Sequence, residues 1–223
     1  MSCVDATQIH TLYSKDLIEA ELGSLFGGYD NKVLSTGGYS AILGGSENQV
    51  TAEDASVSGG RKNTAGGKYS SLLGGLSNEA TVLYSSVSGG TLNQATGEGA
   101  AVSGGERNIA SGSRSAVSGG WQNFAKNEWA SVSGGQANEA VNQSASVSGG
   151  EGNIARGVSS SVSGGVINTA SEEVASVSGG GYNVASGVAA SVSGGDDNMA
   201  KGKWSSILGG KETTLSTEFG EDY

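Results

Sequence analysis

The sequence predicts an all-β protein, a β-solenoid of about thirteen coils of 15 residues each. Three observations predict it. Gly-Gly pairs begin at Gly27, Gly44, Gly59, Gly74, Gly89, Gly104, Gly119, Gly134, Gly149, Gly164, Gly179, Gly194 and Gly209, a spacing of 15 after one first step of 17. Within that period the unit reads Ser-Val-Ser-Gly-Gly-x-x-Asn-x-Ala-x-Gly-x-x-Ala/Ser, too short for a helical hairpin or a propeller blade. Serine-flanked valine followed by two glycines is a poor helix and a good short strand.

The elements follow in order along the chain. Residues 1–23 lie outside the repeat and form an N-terminal cap or docking arm; Ser14 to Leu22, closed by Gly23, predicts a short helix. Residues 24–210 form the roll, with a first unit carrying two extra residues, eleven uninterrupted units over 41–205 and a degenerate unit from Ser206. Residues 211–223, with Leu215, Phe219 and the acidic Glu221-Asp222, form a C-terminal cap or a receptor for the arm of the next rod, which would assemble rods end to end.

Each unit holds two extended runs. The first carries an aliphatic ladder, Leu25, Ile42, Val57, Leu72, then valine up to Val192 and Ile207. Facing it, the second run offers Val50 and then alanine from Ala65 to Ala200, so the roll is thin and buries little area per coil. The second turn carries Gly67, Gly97, Gly112, Gly157, Gly187 and Gly202, with Asn127 and Asn142 in the same column, types that tolerate a left-handed backbone. Stacked at the ~4.8 Å spacing of paired strands, the coils make a rod of roughly 60 Å.

The outer side of the first run decides the assembly. At Ser56/Ser58, Ser86/Ser88, Ser131/Ser133, Ser146/Ser148, Ser161/Ser163, Ser176/Ser178 and Ser191/Ser193, and in every other unit, these columns hold only serine, alanine and the apolar Phe26, Leu43, Leu73 and Leu208. A solvated strand face carries charge. An uncharged small-residue strip along the rod predicts close packing against another copy, most simply a parallel homotrimer about one axis. The bland alternative is a polar face selected for solubility.

The asparagine column (Asn31, Asn48, Asn63, Asn78, Asn93, Asn108, Asn123, Asn138, Asn153, Asn168, Asn183, Asn198) predicts a structural ladder that satisfies turn backbone groups along the stack. The variable turn positions carry Trp121, Phe124, Trp129, Tyr182, Trp204, Tyr69 and Tyr84 beside Arg61, Lys62, Arg107 and Arg156; of these, Trp121, Phe124 and Trp129 of one coil stand out as a partner-binding patch, the competing role being packing across a seam or over neighbouring coils.

Chemistry is sparse. The one histidine, His10, lies in the leader, and no carboxylate column pairs acids at a fixed site, so no enzyme and no cofactor are expected. Gly150 to Ala155 mimics a dinucleotide fingerprint but is one copy of the repeat, and Gly67-Lys68 lacks the earlier glycine of a phosphate loop. The acidic pairs Glu53-Asp54, Glu172-Glu173 and Asp196-Asp197 lack the alternating ligands of a calcium loop, so no metal is expected. A net charge of -10 argues against nucleic acid, no apolar run is long enough for membrane insertion, and the lone Cys3 forms no intrachain disulfide. Met1 to Asp5 show no secretory signal pattern.

The unit, through residues such as Val132, Gly135, Asn138 and Ala140, resembles the head repeat of trimeric autotransporter adhesins, the YadA-like family, over about 24–210. It differs in length, in Gly for the apolar residue before the motif glycine and in Asn for Ser, and no heptad stalk follows Gly210. The resemblance implies a left-handed parallel β-roll, a homotrimer and an extracellular, cell-surface or virion fibre segment that binds a host, matrix or glycan surface. The alternative function is ice binding through the Ser-x-Ser rows, although serine lacks the methyl groups of Thr-x-Thr.

Overall fold

The computed structural model describes residues 15–20, 22–35 and 38–217. Every strand is two residues long, and all pair in parallel. One run per coil joins a 13-stranded sheet from Ser24–Leu25 to Ser206–Ile207; the other joins a 14-stranded sheet from Leu17–Ile18 to Thr214–Leu215. We call them the serine sheet and the alanine sheet. The register is the repeat itself, Val132 beside Val147 in one and Ala140 beside Ala155 in the other. A third line of parallel bridges runs through the first turn from Tyr29 to Lys211. The β-solenoid of about thirteen coils is therefore the fold.

The core is a stack of small side chains. Val132, Asn138, Ala140 and Ala145 of one coil are all buried, and the same four columns are buried along the rod. Two of these columns were not legible as core. The last residue of the unit, Ala or Ser, closes the interior between the sheets at Ala130, Ala145, Ser115 and Ser160, and the asparagines lie inside at 0% exposure, filling the volume that a thin valine–alanine sandwich leaves open. Alternation of in and out has period two along each run, so Ser131 and Ser133 flank Val132 on the outer side.

Three expectations are corrected. The leader forms no helix among its described residues: Leu17 and Ile18 pair with Lys32 and Val33 as the first rung of the alanine sheet. Ser14 and Glu21 of that segment, with Cys3 and His10, lie outside the described residues. The physical reason is edge pairing: Leu17 N–H donates to Asn31 O and Glu19 N–H to Val33 O, both at 2.9 Å, satisfying groups that a helix would leave on the exposed edge. At the other end, Lys211 bridges Asp196 and Thr214–Leu215 pair with Met199–Ala200, so the roll continues past Gly210; Phe219, Glu221 and Asp222 lie outside the described residues.

The second-turn glycines are not left-handed. The positive φ falls two residues later, on Asp54, Tyr69, Tyr84, Gly99, Arg114, Trp129, Ser144, Val174 and Trp204, with φ between 54° and 63°. Gly67 and its column are small for another reason, close approach: a Cβ on Gly67 would meet the backbone of Val82 in the next coil. Each of these turns is closed by a backbone bond such as Ser70 N–H to Gly67 O, 3.0 Å.

Candidate functional site

The asparagine ladder is continuous and three-way bonded. Asn138 Nδ2 donates to Gly134 O of its own coil and to Gly150 O of the next, both at 2.9 Å, while its Oδ1 accepts the Asn153 N–H at 2.9 Å. This pattern satisfies one donor, the Asn153 N–H, and one acceptor, Gly134 O, that have no backbone partner, and adds a second donor to Gly150 O, which already accepts the Gln136 N–H at 2.9 Å. Two end rungs escaped the sequence reading although the spacing of 15 marks them. Asp16 Oδ1 accepts the Asn31 N–H at 2.7 Å, and the Thr213 N–H donates to Asn198 Oδ1 at 3.1 Å. The asparagine side chains from Asn31 to Asn198 are buried and committed to the backbone, so the ladder offers a ligand nothing.

Trp121, Phe124 and Trp129 do not form one patch. Trp121 sits in the first turn, bridged to Glu106 and Gln136. Phe124 lies on the outer side of the alanine sheet, with Lys126 Nζ 5.5 Å from its ring centre. Trp129 occupies the second turn, with the Arg114 guanidinium 4.8 Å over its ring. Two turns that join two sheets lie on opposite edges of the coil, so closeness in sequence separates these rings in space. The second-turn edge instead collects Tyr39, Tyr69, Tyr84, Trp129 and Trp204, all exposed. Tyr69 and Tyr84 stack at 5.1 Å and 8°. The turn column of each aromatic, not its coil, was the signal that finds this edge.

The two outer sheet faces differ in charge. The alanine sheet carries Lys32, Glu79, Lys126, Glu139, Arg156 and Lys201 on its outer side. The turn edges carry ion pairs one coil apart, such as Arg61 Nη2–Glu47 Oε1 at 2.7 Å and Lys68 Nζ–Glu53 Oε2 at 2.6 Å. The hydrogen bond from Arg61 holds the Glu47 carboxyl below its ordinary value, and the one to Glu53 raises the Lys68 ammonium above its own. The serine sheet carries no charge on any of its thirteen rungs.

The predicted interface residues Ser56, Ser58, Ser131, Ser133, Ser146, Ser148, Ser161 and Ser163 all lie on that uncharged face, and Ser58, Ser133, Ser148 and Ser163 are exposed in the single chain. In the same column stand Phe26, Leu43, Leu73 and Leu208, with 75%, 54%, 60% and 86% of their surface exposed. Among the described residues no group of three or more His, Cys, Asp or Glu side chains could hold a metal ion, and no helix is long and apolar enough to cross a membrane. In comparison with known proteins, no family model matches the chain and no curated protein matches it in sequence.

Proposed function

We propose that the chain is a non-enzymatic structural or adhesive module, one of three copies in a left-handed β-roll fibre segment on a cell or virion surface. The observation that carries this reading is the contrast between its own two sheet faces. Both are built from the same repeat, yet charge falls on about half the rungs of one and on none of the other. One carries charge of both signs, as a face in water does; the other carries none and exposes four large apolar side chains in a single column. Random choice of serine for solubility does not explain Phe26, Leu43, Leu73 and Leu208. Burial against identical faces does, and three faces meeting about an axis bury all of them at once.

The turn edges then face outward along the fibre. They hold the variable residues, including the exposed aromatics of the second turn and the flanking Arg114, Lys68 and Lys203. Aromatic rings beside cations are the groups that anchor a protein or glycan partner.

Sedimentation equilibrium of the 22.0 kDa chain over a range of concentrations tests the reading. The expected result is a mass of three chains that persists on dilution. A stable single-chain mass would contradict it and leave the serine rows facing water, which is the arrangement ice binding requires; thermal hysteresis would then decide that alternative.

A further inference from the structure

The repeat holds two glycine columns in the pair and a third, second-turn column that is glycine in about half the coils, and the chain's own fold accounts for two of the three. The second glycine of each pair has φ from 83° to 92° in Gly60 to Gly195, and a Cβ there would strike the carbonyl of the next coil. The second-turn glycines press on the neighbouring backbone, as described for Gly67. The first glycine of each pair does neither. From Gly44 to Gly209 none lies at positive φ, and from Gly59 to Gly209 an added Cβ would meet nothing within 4 Å. It is nonetheless glycine on all thirteen rungs. An alanine there would cost the unfolded chain entropy and so favour folding.

A second observation falls on the same line. The backbone N–H groups of this column, from Gly44 to Gly209, donate to no acceptor among the described residues, whereas their carbonyls are taken by the asparagine ladder. These donors stand at the edge of the uncharged face, next in sequence to Ser58, Ser133, Ser148 and to the exposed Leu43 and Leu73.

We infer that the first glycine of every pair is the line of closest approach between neighbouring copies, where a partner copy's serine hydroxyls or backbone carbonyls accept from these N–H groups. The inference rests on the oligomer reading above and locates its seam. A second copy is the occupant that fits. Rungs recur every ~4.8 Å, and a partner that answers one N–H per rung over the whole rod must have the same rise. The face, about 17 Å by 60 Å when the two glycine columns are included, offers roughly 1,000 Å² per copy, comparable with the ~800 Å² that each partner contributes to a stable interface. A chain with a net charge of -10 also approaches another copy of itself at least cost along its uncharged side.

The test is the triple variant Gly134→Ala, Gly149→Ala, Gly164→Ala, compared with the full chain by circular dichroism, urea unfolding and sedimentation. The expected result is a chain that folds as before but dissociates at a concentration about tenfold higher or more, because three methyl groups hold the copies apart. A variant that associates as the unaltered chain does would overturn the inference, and so would one that fails to fold, since that would place the need for glycine inside the coil. A second measurement uses Ser148→Cys in a Cys3→Ser background. Mild oxidation is expected to give covalent dimers, with Thr169→Cys on the alanine sheet giving none; equal cross-linking at both would overturn the seam's position. Should the unaltered chain prove monomeric, the oligomer reading itself fails. Should it be oligomeric and indifferent to all these changes, only the seam does.

Discussion

At the scale of single residues, the fold depends on side chains that a hydrophobicity scale would place outside. Asn138 is buried and holds three backbone groups at once. Asn138→Ala leaves the Asn153 N–H and the Gly134 carbonyl without partners, and the Gly150 carbonyl with the Gln136 N–H alone. At about 1–3 kcal/mol for each group not reached by water, the variant is expected to lose roughly 3 kcal/mol in urea unfolding. Gln136→Ala, on the exposed turn two residues earlier, is expected to change stability by about 0.5 kcal/mol or less. Some of the buried serines behave in the opposite sense. Ser85 and Ser160 hydroxyls donate to Val82 O and Gly157 O at 2.6 and 2.8 Å, but the Ser115 hydroxyl has no partner, in a column where other coils carry alanine. Ser115→Ala is expected to raise stability by up to about 1 kcal/mol, visible as a higher urea midpoint; a fall would show that the hydroxyl is satisfied in solution.

At the scale of the element, what was legible in the sequence and what was not divide cleanly by cause. Strands, period and the outward serine columns were legible because each is a fixed offset from the glycine pair. The ladder's end rungs, Asp16 and Thr213, carry that same offset under a different residue type, and the pattern of asparagines stopped short of them. The second turn misled because glycine has two uses: Gly67 yields space to Val82, while the left-handed φ two residues on is held by Tyr69, Trp129 or Val174 without regard to side chain. The helix expected over Ser14–Leu22 rested on local propensity, and the unpaired edge of Lys32–Val33 overrode it by pairing with Leu17–Ile18. The patch of Trp121, Phe124 and Trp129 failed because one coil turns its residues to different sides. The exposed ion pairs contribute little. The Glu47–Arg61 bond is made at neutral pH and lost as acid protonates Glu47, and the raised value of Lys68 keeps its ammonium charged further into base before the Lys68–Glu53 pair is lost there. The stacked Tyr69–Tyr84 pair is expected to show a coupling of about 0.5–1.5 kcal/mol in a double-mutant cycle.

At the scale of the whole molecule, the roll is one-dimensional: each coil bonds to the coils before and after it, and no strand pairs outside that order. Excision of one whole unit, residues 146–160, is therefore expected to leave a folded, shorter rod, whereas removal of half a unit breaks the register of both sheets. In the proposed assembly, the face that lacks charge is the one that joins rods. With no ionisable group on the seam, the assembled mass is expected to hold from about pH 5 to 9 and from roughly 0.05 to 1 M salt, because screening weakens only the repulsion between acidic chains. The most direct measurement of the central claim places one charge on each sheet face in turn, Ser148→Glu on the serine sheet and Thr169→Glu on the alanine sheet, and compares their masses by sedimentation velocity. Loss of the oligomer in the first variant and its retention in the second is the predicted result. An oligomer that survives Ser148→Glu unchanged, or that Thr169→Glu disrupts as readily, would contradict the assignment of the serine face as the interface.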